Sequence, residues 1–321
     1  MNFADKHGLR AGVVAYRQQN NSSPALFSFG HDGKANEIPA SSELKFKLAS
    51  LSKPVTAALV LKVLDERKMS TDTPLASLLP SELLPLATEA SEITVRQLLQ
   101  HTAGFDTQES FDPFFMTEEE LASRTEHTKQ PVKNCTDVLQ IMREVPLQFS
   151  PGTAYAYSNL GYCYLEKIIE TATGLPYEQA VRQYLPETKA FTLSVDNQTI
   201  EYTLSFPERD WLVSRPQVIS AAGGWISDIS SYWEFASTAL NPAVATPPPF
   251  PQSRNYYGLG WRVWKNGNEQ LFTHFGAMPD VFTVVIRDHS GPLVLALFLG
   301  RPGNPDQAFA EFYQQMLPLL P

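Results

Sequence analysis

The sequence predicts an α+β protein, in which an antiparallel β-sheet flanked by helices carries an inserted, mainly helical region. Short β-like runs lie towards both ends of the chain, and the stretch between them has helical periodicity. Strands from both ends can join in one sheet, and helices packed on that sheet bury its apolar face. We expect a single unit over residues 1–321, with an α/β lobe of approximately 1–68 and 205–321 and a helical lobe of approximately 69–204.

The N-terminal elements are predicted to be a hairpin and a long helix. Residues 12–16 and 25–29 are typical of two strands joined by a polar loop. A helix then begins near Ser50 or Leu51, because Pro54 lacks an N–H and is tolerated only in a first helical turn. The run behind this proline is apolar nearly all round, so we expect the helix to be buried at the centre of the molecule.

The middle of the chain is predicted to be mainly helical. Threonine caps and glycine stops bound several of its periodic segments. Its least regular stretch contains two short β-like runs. The predicted helices are 94–100, 137–145, 160–172, 177–185 and 232–240, and the predicted strands are 191–193 and 203–206.

The C-terminal region changes to β periodicity. Turns that contain Asn and Gly or Ser and Gly separate runs rich in β-branched and aromatic residues, which predicts strands connected as hairpins. A final helix begins at Asn304-Pro305. The predicted strands are 257–264, 270–274, 281–286 and 292–298.

Composition and charge exclude several classes of partner. The chain has a formal net charge of −9, and its 25 Lys and Arg residues are scattered rather than clustered. We therefore expect neither nucleic acid nor an anionic membrane surface as a partner. No apolar run is long enough to span a bilayer. The composition does not indicate an oligomeric state.

The start of the chain and its cysteines favour a cytoplasmic location. Residues 1–8 have neither the basic flank nor the apolar block of a secretion signal, which predicts an intracellular protein; a replaced signal peptide is the alternative. Cys135 and Cys163 are too few for a disulfide framework, so we expect both to be reduced.

Ser50 and Lys53 form the motif that carries chemistry. Positions i and i+3 share a helix face, so the two side chains can meet at the N-terminal end of their helix. There the free N–H groups and the partial positive charge favour an oxyanion, and burial lowers the pKa of a lysine towards that of a base. In isolation, the same tetrapeptide is more often an N-cap serine beside a solvated lysine.

Further segments accompany this motif in a fixed order. They are Leu98-Leu99-Gln100-His101-Thr102-Ala103-Gly104, Tyr157-Ser158-Asn159, Ala222-Gly223-Gly224, Tyr257-Gly258-Leu259-Gly260-Trp261 and His274-Phe275-Gly276. Together with Ser50-Leu51-Ser52-Lys53-Pro54, they resemble the serine β-lactamase and penicillin-binding-protein superfamily, particularly its class C and esterase branch. The resemblance implies a serine β-lactamase-like fold and a single catalytic unit.

The resemblance also implies roles for four side chains. Ser50 would attack a carbonyl and become acylated, and Lys53 would keep the serine primed for proton transfer. Tyr157 would act as a phenolate or as a proton shuttle to the leaving group, and Asn159 would hold the substrate carbonyl and the lysine. The structural alternative is a turn tyrosine followed by an asparagine that caps the next helix.

A strand would form the opposite wall of this site. By the resemblance, His274 lines the pocket as a hydrogen-bond donor and Gly276 lets the substrate backbone approach. The N–H groups of Ser50 and Ala277 would form the oxyanion hole. The alternative for His274 is a strand-end histidine satisfied by its neighbours. Met278-Pro279-Asp280 departs from the family's usual Pro-Gly-aromatic turn, which leaves the pocket edge undefined.

Other catalytic motifs are missing from the sequence. There is no G-x-S-x-G elbow, H-E-x-x-H, C-x-x-C or phosphate loop, so we expect neither a metal nor a cofactor. His101 precedes a helix stop and is assigned a structural role.

The sequence therefore predicts a cytoplasmic serine hydrolase or acyltransferase that acts through an acyl-enzyme on Ser50. An ester, thioester or amide of a small molecule is the favoured substrate, with esterase-type activity first. Alternatives are a D-amino-acid peptidase, a β-lactamase-type activity and, from another class, a catalytically silent binding or sensor domain. Phe111, Phe114 and Phe115 either line a groove for an apolar acyl group or, as favoured here, anchor a loop to the core.

Overall fold

The fold is α+β, as the sequence predicts. The computed structural model describes residues 2–17, 23–30, 44–125, 131–194, 211–252, 255–266 and 269–319. The strands within these ranges are β1 (Ala11–Tyr16), β2 (Ala25–Gly30), β3 (Lys45–Lys47), β4 (Ile226–Asp228), β5 (Asn255–Tyr257), β6 (Arg262–Asn266), β7 (Glu269–Met278), β8 (Val281–Asp288) and β9 (Gly291–Leu299). Seven of them form one antiparallel sheet in the order β2-β1-β9-β8-β7-β6-β5, and β3 pairs with β4 separately.

The large sheet joins the two ends of the chain. β1 pairs with β2 on one side and with β9 on the other, so Ala11 lies opposite both Gly30 and Leu299. From β6 to β9, each strand pairs with the next one along the chain. The predicted N-terminal hairpin and C-terminal meander are confirmed.

The helices within the described ranges pack against this sheet or against one another. They are α1 (Phe3–Lys6), α2 (Ser52–Glu66), α3 (Val95–Leu99), α4 (Glu118–Arg124), α5 (Cys135–Met142), α6 (Leu160–Thr173), α7 (Tyr177–Tyr184), α8 (Ile229–Ser237) and α9 (Pro305–Met316). One apolar cluster lies between the sheet and the helical middle of the chain. A second, smaller cluster lies under α9, where Phe309 and Phe312 meet Phe298 of β9.

α2 is the buried central helix that the apolar run predicts. Eleven of its fifteen side chains are buried, including that of Lys53. Pro54 lies in its first turn, as expected from the missing N–H. Ser50 lies just before the helix, in the 3₁₀ turn Ala49–Leu51. Ala49 adopts a φ of +48°, a left-handed conformation that costs a non-glycine residue free energy and sets the sharp entry into α2.

The predicted strand over 257–264 is wrong in its extent. It is divided into β5 and β6, because residues 258–261 leave the sheet to pack against α2. Gly260 has a φ of +82°, and a Cβ there would lie 2.2 Å from the Cβ of Ala57. Only glycine allows this close approach of the two backbones.

Two other predictions concern residues 190–210. Thr192 pairs with Ile226 only as an isolated bridge, so no strand forms over 191–193. The predicted strand over 203–206 and the lobe boundary at 204 lie outside the described residues. The division into two lobes therefore stays a prediction.

The cysteines correct a prediction. Cys135 of α5 and Cys163 of α6 are joined in a disulfide, with 5.3 Å between their Cα atoms, so the expectation of two reduced thiols is wrong. The two cysteines lie 28 positions apart in the chain, and the packing of α5 on α6 brings them together. Among the helices described, none has the length and apolar character needed to cross a membrane.

Candidate active site

Ser50 lies at the floor of a cavity of about 610 Å³. Its Oγ is 3.2 Å from the Nζ of Lys53 and accepts a hydrogen bond of 2.7 Å from the hydroxyl of Tyr157. The structure therefore brings together the three side chains to which the sequence assigns chemistry. Ser50 and Lys53 meet because they lie one helical turn apart, and Tyr157 comes from the segment before α6.

Lys53 is completely buried and has three oxygen neighbours. Besides Ser50, its Nζ donates to the Oδ1 of Asn159 and to the carbonyl oxygen of Ala222, both at 2.7 Å. Burial lowers the pKa of this lysine well below its usual range, and the negative charge of Asp112 opposes that shift. The solvated lysine of the structural alternative is thus wrong for this chain.

The contacts of Lys53 fit a neutral amine. The amide oxygen of Asn159 and the carbonyl oxygen of Ala222 can only accept hydrogen bonds, so they take two N–H groups. A neutral amine has no third N–H, and its lone pair can then accept the proton of the Ser50 hydroxyl. A neutral lysine in this arrangement would be placed to act as a general base, and that role stays a prediction.

The surroundings of Tyr157 disfavour the ionised form of its phenol. Desolvation raises its pKa well above the usual value, and the hydrogen bond to Ser50 opposes this only in part. The Nζ of Lys53 lies 4.6 Å from the centre of its ring. Of the two roles expected for Tyr157, the structure favours the proton shuttle over the phenolate.

Asn159 does not cap α6 with its side chain. It occupies the N-cap position of that helix, yet its side chain makes no capping hydrogen bond. Instead it bridges Lys53 and Asp112, and its Nδ2 donates to the Oδ2 of Asp112 at 2.8 Å. The capping alternative is therefore wrong, and the amide points into the site.

β7 forms the wall opposite α2. A Cβ on Gly276 would lie 2.7 Å from the backbone nitrogen of Ser50, so this glycine allows the strand to touch the serine turn. Ala277, the next residue, lines the cavity beside Ser50. This places Ala277 next to the proposed oxyanion position, and the oxyanion role of the two N–H groups stays a prediction.

His274 has both ring nitrogens occupied. Its Nε2 is 2.7 Å from the hydroxyl of Tyr257, and its Nδ1 is 2.9 Å from the carbonyl oxygen of Phe275. The carbonyl requires an N–H at Nδ1, so Nε2 accepts from Tyr257. Burial lowers the pKa of His274 to about 3, which makes it neutral. His274 lines the cavity, but its Nδ1–H would have to break the hydrogen bond to the carbonyl oxygen of Phe275 before it donated to a substrate.

The unusual turn after β7 is held by an ion pair. Asp280 has a φ of +62° and accepts two hydrogen bonds of 3.1 Å from the guanidinium of Arg10. Its backbone oxygen also accepts from Gly300. The departure from the family's turn is therefore compensated by contacts of this chain, and it leaves the cavity wall intact.

The cavity is more polar than the sequence suggests. Charged side chains of both signs line it: Asp106, Arg262, Arg301 and Asp306. The phenylalanines of residues 111–115 do not line it, since they pack into or against the apolar core. They anchor a loop, which confirms the favoured interpretation and removes the basis for an apolar acyl group.

Sequence reasoning missed three contributors to the site. Asp112 contacts Asn159, the carbonyl of Ala222 holds Lys53, and the ring of His101 packs 4.3 Å from that of Tyr157. The Nδ1 of His101 also accepts from the backbone N–H of Ser158, which fixes the segment that carries the tyrosine. Of these, only Ala222 and His101 lie in segments that the motif search singled out.

A buried carboxyl group supports the turn that holds Lys53. Glu166 of α6 accepts hydrogen bonds from the hydroxyl of Ser220 and the backbone N–H of Ala221, directly before Ala222. Burial raises the pKa of Glu166 to about 7, and the nearby Lys167 opposes that shift. The folded protein therefore holds a proton on Glu166 at pH values where the unfolded chain has released it.

This carboxyl group should make stability depend on pH. Between pH 5 and pH 7 the folded state binds the extra proton, so its free energy of unfolding falls as pH rises, by roughly 2–3 kcal/mol from this group. Glu166→Gln cannot titrate and should lose less stability between pH 5 and pH 8 in urea unfolding. The exposed Glu66→Gln is the control. Parallel pH curves for wild type and Glu166→Gln would contradict the assignment.

Comparison with known proteins agrees with this geometry. A family model named Beta-lactamase matches residues 4–317. The fimbrial assembly protein FimD of Dichelobacter nodosus, serogroup D, is 32% identical over 284 residues, which are 83% of this chain and 69% of that protein. The chain spans only 36% of the related serogroup H1 protein.

Solved structures share the fold. A penicillin-binding protein from Bacillus halodurans has a TM-score of 0.73 at 20% identity, over 98% of both chains. A D-amino acid amidase from Ochrobactrum anthropi SV3 has a TM-score of 0.73 at 19% identity, over 98% of this chain and 97% of that one. From the family match over nearly its whole length, the chain belongs to the beta-lactamase family of serine hydrolases.

Proposed function

We propose that this chain is a serine hydrolase or acyltransferase that forms an acyl-enzyme on Ser50 and cleaves an ester, thioester or amide of a polar small molecule. The observation that carries the proposal is the contact of one hydroxyl with two proton-transfer groups. The Oγ of Ser50 lies 3.2 Å from Lys53 and 2.7 Å from Tyr157, on the floor of an open cavity.

In the proposed acylation, Lys53 takes the proton of Ser50 as its Oγ bonds to the substrate carbonyl carbon. The N–H groups of Ser50 and Ala277 hold the negative oxygen, a contribution worth about 3 kcal/mol per donor in comparable sites. Tyr157 gives its proton to the leaving group as the bond to carbon breaks. Lys53 then returns a proton to Tyr157, which leaves an acyl-enzyme and two neutral side chains.

Deacylation reverses these proton transfers. Water, or an alcohol or amine in a transferase, attacks the acyl carbon and gives up its proton through Tyr157 and Lys53. The Oγ of Ser50 regains a proton as it leaves. The same two side chains thus serve both half-reactions, and the identity of the acceptor decides between hydrolysis and transfer.

The cavity lining supports a polar substrate. Arg262 and Arg301 provide positive charge, Asp106 and Asp306 provide negative charge, and Tyr155 provides an exposed aromatic surface. This mixture favours a second candidate within the same mechanism, an amide or peptide of an amino acid: both carry a positive ammonium group, and a peptide also carries a negative carboxylate. The fold that the chain shares with a D-amino acid amidase supports the same candidate.

A fluorophosphonate probe followed by peptide mapping tests the proposed function. We expect one labelled peptide, modified at Ser50. A hydrolysis screen with short acyl esters, thioesters, D-amino-acid amides and a chromogenic cephalosporin then identifies the substrate class. Folded protein that neither reacts with the probe nor hydrolyses any of these compounds would instead be the silent binding domain.

The cysteines bear on the compartment in which the protein works. The predicted cytoplasmic location stays a prediction, and the disulfide between Cys135 and Cys163 favours an oxidising compartment instead, because disulfides are rare in a reducing cytosol. We propose a small-molecule partner and no nucleic acid or membrane partner. Thiol quantification in protein trapped with iodoacetamide at cell lysis tests the compartment: two alkylated cysteines indicate the cytoplasm, and none indicates an oxidising compartment.

A further inference from the structure

We propose that Asp112 is a positioning residue of the Ser50 site, which fixes the amide of Asn159 so that its oxygen faces Lys53. This inference rests on the proposed function of Ser50. It extends the site from the motif residues to a loop that no motif covers.

Asp112 is itself anchored by the turn that it begins. It is the N-cap of the 3₁₀ turn Pro113–Phe115, and its Oδ1 accepts from the backbone N–H of Phe114 at 3.1 Å. Phe114 is completely buried in the core. The carboxyl group is therefore held by the backbone of an anchored turn, and only its second oxygen is available to the site.

The side-chain amide of Asn159 has two possible orientations. A side-chain amide can be turned end over end with little change in shape, which exchanges its donor and its acceptor. The Oδ2 of Asp112 accepts, so the Nδ2 of Asn159 turns towards it, at 2.8 Å. The Oδ1 of Asn159 then faces the Nζ of Lys53, at 2.7 Å. In the opposite orientation, two N–H groups of the amide would face the lysine.

The orientation of Asn159 decides which hydrogen bonds Lys53 makes. With an acceptor at Asn159 and another at Ala222, a neutral Lys53 uses both N–H groups on them and aims its lone pair at Ser50. If Asn159 were reversed, its N–H would compete with the hydroxyl of Ser50 for that lone pair. Asp112 thereby selects the hydrogen-bond pattern in which the lysine acts on the serine.

The negative charge of Asp112 has a second effect, on the pKa of Lys53, which can be measured separately. The groups that face Lys53 are Asp112, the rings of Tyr157 and Tyr162, and the neighbouring His101 and His274. Burial lowers the pKa of both histidines and raises that of Asp112, against which the hydrogen bonds from Phe114 and Asn159 act. The negative charge of Asp112 raises the pKa of Lys53. Removing this charge should lower the pH at which Lys53 loses its proton.

Asp112→Asn separates a positioning role from a packing role. A side-chain amide has one acceptor where the carboxylate has two, so it cannot serve both Phe114 and Asn159. We expect the rate constant for probe labelling of Ser50 to fall by about 10²-fold at its optimum. The acidic limb of its pH profile should move to lower pH. Glu109→Gln, an exposed residue of the same loop, is the control.

Exchanging the two side chains provides the rescue. In the double variant Asp112→Asn/Asn159→Asp, the amide at position 112 can accept from Phe114 and donate to the carboxylate at position 159, which can still accept from Lys53. Asn159→Asp alone instead sets two carboxylates against each other. We expect the double variant to label at least tenfold faster than the product of the single effects predicts. Its acidic limb should move to higher pH, because the negative charge now touches Nζ.

Unfolding of the same four proteins in urea separates the outcomes. The proposal is supported if positions 112 and 159 are coupled both in the free energy of unfolding and in the labelling rate constant. The acidic limb should also move to lower pH in Asp112→Asn and to higher pH in the double variant. Coupling in stability with additive effects on labelling would show that the contact is merely structural, and would overturn it. Folded wild type that is never labelled at Ser50 would overturn the proposed function, and this inference with it.

Discussion

Replacing Ser50 with alanine is expected to abolish acylation. Ser50 Oγ is the atom that becomes acylated, and the remaining hydroxyl and amine cannot take its place without moving. Turnover of any substrate found in the screen should fall to background, by up to about 10⁶-fold as for other serine nucleophiles. Probe labelling followed by mass spectrometry measures the effect directly, because the modified peptide should disappear.

The fold should survive this change. The substitution removes one hydroxyl at a partly exposed position, which costs about 1 kcal/mol of unfolding free energy. Ser77→Ala, in an exposed 3₁₀ turn, controls for the loss of a serine hydroxyl elsewhere. Probe labelling that persists in folded Ser50→Ala would place the nucleophile at another residue.

Lys53→Met is expected to lower turnover by at least about 10³-fold, within the range for loss of a general base. Methionine fills a similar volume but cannot accept the proton of Ser50. It also leaves the oxygens of Asn159 and Ala222 without their donor. The measurement is kcat with the best substrate, followed from pH 5 to pH 10. The acidic limb that reports the lysine should be lost.

Stability should change much less than activity in this variant. The variant loses the hydrogen bonds of the buried amine, but folding no longer has to remove water from an amine. These two effects on the free energy of unfolding offset each other to within about 2 kcal/mol. Lys62→Met provides the matched control on the same helix, because Lys62 is exposed and donates to the carbonyl oxygen of Tyr184. Equal kcat values in the two variants would contradict the role of Lys53 as base.

The central helix and its chemistry were predictable because their signals are local. Pro54, the apolar run behind it and the three-residue spacing of Ser50 and Lys53 all act within one helix and the turn that enters it. Strand alternation and turn residues likewise predicted the C-terminal meander. Tyr157 and Asn159 came from the family resemblance, since nothing local distinguishes them from a turn and a cap.

The remainder depends on tertiary contacts that no local pattern encodes. Asp112 lies between phenylalanines whose packing decides where its carboxyl group points. The disulfide forms only because α5 packs on α6. Gly260 interrupts a strand-like pattern because α2 lies against it. Each of these misses concerns which distant segments meet, rather than which element a segment forms.

The pairing of β1 with β9 has a consequence for how the protein folds. These strands come from opposite ends of the chain, so the sheet cannot close until almost all of the chain is available. Closing such a long loop costs entropy before any contact repays it, which slows folding in proteins rich in distant pairings. During synthesis, the first hairpin waits with the β1 edge unpaired. That exposed edge is where an emerging chain would need protection from aggregation.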